Sequence, residues 1–536
     1  MQKLMLLGDE AIAQGALDAG LSGVYAYPGT PSTEITEYIQ KSKQAAEGNV
    51  HRTWSANEKT AMEAGIGMSY AGKRALVCMK HVGLNVAADA FVNSAITGAN
   101  GGLVILSADD PSMHSSQNEQ DSRFYGKFSF MPVLEPSNQQ EAYDMMFQAF
   151  ELSERMNVPV LMRITTRLAH SRAAVERKDV LPQNEGGLPE NLRQYVLLPA
   201  IARKQYAELL EKQPALETEG IDNGNNIIID GEDKSMGIIT TGIAYNYLIE
   251  NYPDGNVPYP VLKITQYPAP VELIEILVEQ CESILVLEEG MPFVEEQLKG
   301  YLSKGLNIKG RLDGTVNRTG ELNPNIVAVA LGLQDTIGNP VPEIVKGRPP
   351  KLCDGCPHID SYQVLNKVIA EYGTGRVFSD IGCYTLAALP PLESINSCVD
   401  MGASITMAKG AADAGIVPAV AVIGDSTFTH SGMTALLDAV IDKSPITVLI
   451  LDNSTTGMTG GQASHALGRL EQIVLGLGVE EEHLHVVKPL PRKHDEMEEV
   501  YRKELEYQGV SVIIPRRECI QTLNKRMRAK FANKKK

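Results

Sequence analysis

Short apolar runs alternate with longer segments of helical periodicity along this 536-residue chain. Runs bounded by glycine, proline or polar pairs predict buried strands at Val24–Ala26, Ala75–Met79, Leu103–Ser107 and Val158–Arg163. The same pattern returns at Met236–Thr240, Val261–Ile264 and Ser283–Leu287, and again at Ala421–Ile423 and Ile446–Leu451. Strands that alternate with helices imply parallel sheets, so the fold class is α/β. The polar stretch Asn184–Asn191 and the Gly/Asn/Asp-rich run Glu219–Asn226 bracket a helical linker, Ala200–Gln213. A second linker lies at Gly338–Pro342 and Lys346–Lys351. The expected organisation is therefore 1–190, a linker 191–227, 228–345, and 350–536. No solenoid repeat or low-complexity tract interrupts it.

Length and composition are those of a large enzyme able to bury three cores. Hydrophobic residues at 43% and charged residues at 21% are ordinary for a globular chain. The net charge of −17 argues against a nucleic-acid or membrane-surface role. The basic tail (Lys525, Arg526, Arg528, Lys530 and Lys534–Lys536) reads as a solvated, frayed helix end. No apolar run approaches the ~18 residues of a transmembrane span. Two acids by position 10 oppose a signal peptide, so the expected location is cytoplasmic. Seven cysteines, with Cys353 and Cys356 spaced as Cys-x-x-Cys, suggest reduced thiols or a metal cluster rather than a disulfide framework.

The densest chemistry lies in 421–458. The apolar run Ala421–Ile423 ends in Gly424-Asp425-Ser426, a helical segment follows, and Ile446–Leu451 ends in Asp452-Asn453. Two neighbouring parallel strands would bring Asp425 and Asn453 to one carboxyl edge, where doubly wound sheets bind ligands. A carboxylate, an amide oxygen and a main-chain carbonyl near Thr455 suit a hard cation such as Mg2+ that also holds diphosphate oxygens. The pattern resembles the Mg-diphosphate motif of thiamine diphosphate enzymes, with Ser426 in place of the usual second glycine. Such enzymes also need a glutamate, on another domain, that bonds N1′ of the aminopyrimidine. Glu58 opens an Ala/Gly-rich helical segment containing Gly67 and Gly72 and is preferred to Glu63. Gly65-Ile-Gly67 lacks the preceding strand of a dinucleotide fingerprint.

Further stretches carry a fuller resemblance: Tyr27-Pro-Gly-Thr30-Pro-Ser32, Met79-Lys-His81-Val-Gly83-Leu-Asn85, Ala108 through Arg123, Cys353-Asp-Gly-Cys356-Pro-His358, Asp380-Ile-Gly-Cys383, Met401 through Ile405, and Thr459-Gly-Gly-Gln462. Along nearly its whole length the chain resembles the alpha subunits of indolepyruvate:ferredoxin oxidoreductases. They belong to the thiamine diphosphate-dependent 2-oxoacid:ferredoxin oxidoreductases. The resemblance implies three doubly wound domains: pyrimidine-binding, transketolase C-terminal-like and diphosphate-binding. It implies oxidative decarboxylation of arylpyruvates to aryl-acetyl-CoA with reduction of ferredoxin. The catalytic expectation falls on Glu58, on His81 as a proton shuttle, and on Thr30 in a strand-to-helix turn. Thr30 has an equal alternative as a helix cap. Cofactor contacts fall on Ile381, Gly382, Cys383, Tyr384, Gly424, Ser426, Thr427, Gly457 and Met458. Metal ligands fall on Asp425, Asn453 and Thr455. His114, Gln117 and Arg123 are candidates to grip the substrate carboxylate.

In related oxidoreductases a proximal [4Fe–4S] cluster takes four cysteines in the order of Cys353, Cys356, Cys383 and Cys519; structural zinc or reduced core thiols are the alternatives. Cys78, Cys281 and Cys398 read as core residues. Most such alpha subunits end in a ferredoxin-like domain with two Cys-x-x-Cys-x-x-Cys runs, which has no counterpart before Lys536. The expected partners are a small beta subunit and a ferredoxin or ferredoxin-like subunit, with a 2-oxoacid and CoA as substrates, in a homodimer or heterotetramer. A non-oxidative thiamine diphosphate-dependent 2-oxoacid decarboxylase is the rival reading. Intact Glu58 and metal ligands oppose a third, a non-catalytic binding subunit.

Overall fold

The computed structural model describes residues 3–301, 305–333, 340–347 and 350–533. Gly338, Asn339, Arg348 and Pro349 of the expected linker, and Lys534–Lys536 of the basic tail, lie outside the described residues. Two compact units divide at Val341–Pro342. Among the described residues no helix is long and apolar enough to cross a membrane.

The first unit holds two main sheets. One has the order Gln266–Tyr267, Val133–Leu134, Val160–Thr165, Leu103–Asp109, Ala75–Lys80, Gly23–Ala26. Every pair is parallel except the first. The strand Ala75–Lys80 is buried at every position, as a parallel strand covered by helices on both faces must be. The second sheet runs Ile308–Lys309, Ile284–Leu287, Gly237–Thr241, Val261–Ile264, Asn226–Ile229, with only the last strand antiparallel. A two-stranded ribbon, Lys3–Leu7 with Arg172–Glu176, completes the unit. The segment Glu219–Asp222, expected as loop, is helical within Gln213–Asp222. Its polar residues face outward while Leu216 and Gly220 are buried, and Gly220 leaves room for the Asn226 amide.

One apolar cluster runs from Ile12 and Val104 in the first sheet's layer to Ile238 and Leu285 in the second's. A buried charge network lies across the same boundary. Arg163 pairs with Asp109 at 2.6 Å and with Glu135, and its remaining nitrogen donates to the Glu289 carbonyl at 2.9 Å. Arg123 pairs with Asp121 at 2.5 Å and Glu288 at 2.9 Å. Shared apolar packing and paired buried charge make one unit of the first 341 residues.

The second unit is built on a six-stranded, wholly parallel sheet: Ser397–Cys398, Val377–Ser379, Ala419–Gly424, Ile446–Leu451, Ser511–Pro515, Leu484–Val487. Its strands show the two-residue period directly. Ala419, Ala421 and Ile423 join one apolar cluster, while Val420 and Val422 join another on the opposite face. The strands Ala419–Gly424 and Ile446–Leu451 are adjacent, with Gly424 opposite Leu451. The basic tail is helical within Ile520–Asn533.

Candidate active-site residues

In the first unit, the carboxyl edge of the six-stranded sheet gathers the expected catalytic side chains. Glu58 is the first residue of the helix Glu58–Tyr70, which Asn57 caps by accepting from the Thr60 amide at 2.8 Å. The Glu58 side chain is buried, 5% exposed. Its neighbour is Gly83, in the first turn of the helix His81–Thr97. A Cβ on Gly83 would stand 2.6 Å from Glu58 Oε1 and 2.7 Å from Cγ, so only glycine leaves the carboxyl its place. Glu63 lies on the exposed side of the same helix and pairs with Lys59.

His81 opens its helix immediately after the strand Ala75–Lys80 and is buried. Its Nε2 lies 3.3 Å from the Asn118 carbonyl, and its Nδ1 has no hydrogen-bond partner in the chain. Thr30 is half-buried in the turn that follows Gly23–Ala26, and Gly29 beside it packs towards Lys80, whose Cβ would be 3.4 Å from a Cβ there. Thr30 does not cap the next helix: Ser32 holds the N-cap position of Thr33–Lys41, and its hydroxyl donates to the Gly29 carbonyl at 2.9 Å. Lys80, which the sequence pattern did not single out, is buried at this edge. Burial lowers its ammonium pKa to about 8 against the opposing pull of Asp110 3.9 Å away.

The expected substrate clamp is not assembled. Arg123 is fully buried, and all its nitrogens donate inside the protein: Nε to Asp121, Nη1 to Thr241, Tyr267 and Glu288, Nη2 to Asp121 and the Glu289 and Met291 carbonyls. No donor remains for a substrate carboxylate. His114 is half-exposed and paired with Glu321 at 3.0 Å, an acid that opposes anion binding, and Gln117 is exposed.

In the second unit, Asp425 and Asn453 follow neighbouring strands at one edge, and both are buried. Asp425 begins a helical run that continues through a π-turn, Phe428–Gly432, into Met433–Ile441. Burial pushes the Asp425 carboxyl up to about 7, with the Asp452 charge second, against a hydrogen bond with Ser464. Its Oδ2 is buried with no hydrogen-bond partner in the chain. An oxygen so placed fits a cation, which would replace the missing donors. Asn453 Oδ1 accepts from the Thr455 amide at 3.1 Å, while its Nδ2 lies 3.2 Å from His358 Nε2. Burial and the Arg517 charge lower His358 to about 4, so it is neutral near pH 7 and accepts that bond.

The other residues expected to contact the cofactor lie near this pair. Ser426 bonds Thr456 at 2.7 Å, and the Thr427 hydroxyl donates to the Ile381 carbonyl at 3.2 Å. Tyr384 packs beside Gly382 and Gly424, where a Cβ would stand 2.2 and 2.6 Å from its ring, and its hydroxyl donates to Asp380. Ser404 donates to the other Asp380 oxygen at 2.6 Å. Met458 is exposed beyond Gly457.

Cys353, Cys356, Cys383 and Cys519, drawn from distant parts of the sequence, line one cavity of about 490 Å³ together with His358, Asn453 and Gly457. The Cys519 amide donates to the Asn453 carbonyl at 3.1 Å. Burial first, and the other three thiols after it, push the Cys383 thiol up to about 12. A tetrahedral zinc, with Zn–S near ~2.3 Å, needs its sulfurs within roughly 4 Å of one another. Among the described residues, the groups whose ligand atoms all lie within 4.8 Å of each other do not include these cysteines. Four cysteines around one cavity are a donor set of the kind an iron–sulfur cluster takes. Cys78 is buried as expected, whereas Cys281 and Cys398 are only half-buried. Gly83, Lys80, His358 and Asp380 are the neighbours the sequence reading missed. All four stand inside the motifs quoted above, Lys80 and Gly83 in the same stretch as His81, but no spacing rule marks what they touch.

Residues 14–195 match the family described as pyruvate flavodoxin/ferredoxin oxidoreductase, thiamine diP-bdg. Residues 380–514 match the C-terminal TPP binding domain of thiamine pyrophosphate enzymes. The chain is 41% identical to indolepyruvate oxidoreductase subunit IorA of Archaeoglobus fulgidus, over 97% of this chain and 86% of that protein. It is 39% identical to the subunit of the same name from Pyrococcus abyssi, with the same coverage. The Methanothermobacter thermautotrophicus subunit is 37% identical over 97% of this chain and 87% of its own length.

Proposed function

Because this chain belongs to the thiamine diphosphate-dependent 2-oxoacid:ferredoxin oxidoreductases, we propose that it is the large catalytic subunit of an arylpyruvate-oxidising member. The reaction is oxidative decarboxylation of indolepyruvate-type 2-oxoacids to aryl-acetyl-CoA, with electrons passing to ferredoxin. When bound, thiamine diphosphate supplies an electron sink for decarboxylation, Mg2+ neutralises the diphosphate, and an iron–sulfur cluster accepts electrons singly.

The chain's own residues divide the remaining work. Glu58, held against Gly83, keeps a proton shared with N1′ of the aminopyrimidine. His81 exchanges a proton with the substrate's carbonyl oxygen, its free Nδ1 supporting that role. The Thr30 turn offers a hydroxyl to the 2-oxoacid. Asp425, Asn453 and the Thr455 carbonyl hold Mg2+, and His358 fixes the Asn453 amide so that its oxygen serves the metal. Ile381–Tyr384, Gly424, Ser426, Thr427, Gly457 and Met458 line the diphosphate.

One observation carries the oxidative reading above all: the four cysteines surround a cavity that Asn453 and Gly457 also line. An electron acceptor held there would be adjacent to the diphosphate loop. Release of CO2 needs no acceptor, whereas acyl-CoA formation does. Cys383→Ser should therefore leave CO2 release from phenylpyruvate largely intact and abolish CoA-dependent reduction of viologen dyes by the assembled enzyme. If wild type with partner, CoA and acceptor releases mainly free arylacetaldehyde, the non-oxidative decarboxylase is the correct reading.

A further inference from the structure

A second group of ligand-bearing side chains lies in the first unit and has no part in the reaction described above. Asp9 stands in the first turn of the helix Gly8–Asp18 and is fully buried. Glu34 stands in the first turn of Thr33–Lys41, and His170 ends the short helix Thr166–His170. One ligand atom from each lies within 4.8 Å of the other two. Neither Asp9 oxygen has a hydrogen-bond donor in the chain. What faces it is the Glu34 carboxyl, itself an acid. Two facing carboxyls are held together only by a proton or by a cation between them. His170 approaches the same Glu34 carboxyl at 3.7 Å from Nε2.

One imidazole nitrogen with two carboxylate oxygens is a mixed donor set that suits first-row divalent ions better than Mg2+. Glu34 and His170 are partly exposed, so water can complete the coordination shell and the ion has an entry path. We propose that Asp9, Glu34 and His170 form a binding site for a first-row divalent transition-metal ion such as Zn2+. The ion would tie together three helix ends, one of them the start of the helix that follows the Thr30 turn. Its role is to fix that turn.

The test titrates Zn2+ alone, by calorimetry, into the metal-free full chain without thiamine diphosphate. Wild type is compared with Asp9→Asn, His170→Gln and Cys353→Ser, the last reporting any uptake by the cysteines. The expected result is a Zn2+ site that survives Cys353→Ser and weakens at least roughly tenfold in both Asp9→Asn and His170→Gln. His170 is at the surface and its variant keeps the fold, so a Zn2+-dependent rise in melting temperature should be present in wild type and absent in His170→Gln. Zn2+ affinity in Asp9→Asn and His170→Gln equal to that of wild type would overturn the site. So would finding no Zn2+ uptake beyond what Cys353→Ser removes, which would leave a shared proton as the only link between Asp9 and Glu34.

Discussion

Burial acts on Arg123 and Asp380 with opposite results, and the difference lies in what faces each group. Arg123 loses its hydration but meets Asp121 and Glu288, with Glu135 nearby, so its charge is held. Breaking such a pair strands buried acids and costs about 3–5 kcal/mol. Arg123→Ala should lower the stability of the first unit by that order in urea unfolding, and folded variant should show an unchanged KM for the 2-oxoacid. A large rise in KM with stability intact would restore Arg123 to the substrate. Asp380 meets no cation, only the hydroxyls of Ser404 and Tyr384 and the backbone amides of Ser404 and Gly402, and burial outweighs them, raising its carboxyl to about 7. Between about pH 4, its unfolded value, and about pH 7, the folded chain keeps a proton that the unfolded chain has lost. Stability contributed at low pH is therefore lost as pH rises through that window. Asp380→Asn should gain stability relative to wild type on going from pH 5 to pH 7.5, measured by melting of the second unit; an identical difference at both pH values would refute the shift. None of this was legible in sequence. Arg123 looked available because its partners Glu288 and Glu289 stand about 165 positions away.

At the scale of elements, each apolar run read as a strand met one to within two residues, because a strand covered on both faces is apolar throughout. But Ser511–Pro515, equally buried, and Lys3–Leu7, Arg172–Glu176, Asn226–Ile229 and Leu484–Val487 were not read as strands. The short strands Val133–Leu134, Gln266–Tyr267 and Val377–Ser379 escaped, since two or three residues carry no period. The helix opening at Glu58 was readable from its small residues, but its packing against the His81–Thr97 helix was not. That packing rests on Gly83. Replacing a helical glycine with alanine ordinarily gains up to about 1 kcal/mol. Here the new methyl meets Glu58 at Oε1, Cγ and Cδ, so the buried side chain must shift as a whole, which offsets that gain. Gly83→Ala should therefore fold, without the usual gain in stability, and slow C2–H exchange of bound thiamine diphosphate. Glu58→Ala sets the scale for that loss, ~10²–10⁴-fold for removal of a positioned proton-transfer group. NMR of the exchanging C2 proton gives the comparison, and wild-type exchange in Gly83→Ala would show that Glu58 does not act from this position.

The whole molecule adds what neither residues nor elements contain. Cys353, Cys356, Cys383 and Cys519 were expected as a set only from the resemblance to related oxidoreductases; their meeting around one cavity depends on how the parallel sheet orders its strands. The loop after Ile446–Leu451 supplies Asn453, and Cys519 joins it by a backbone bond across the edge. A cluster held there would stand one loop from the diphosphate, and its electrons must then pass to a carrier. The net charge of −17 gives an acidic carrier such as ferredoxin little long-range attraction, which favours a partner subunit over a bare surface as the docking point. The last prediction follows from that division of labour. Purified anaerobically, the chain alone should contain iron, show a visible absorption that Cys519→Ser removes, and bind thiamine diphosphate and an arylpyruvate by calorimetry. It should reduce ferredoxin with CoA only after a small catalytic subunit is added. Iron-free protein with unaltered cofactor binding would remove the cluster from the proposal, and full CoA-dependent turnover by the chain alone would remove the need for the small subunit.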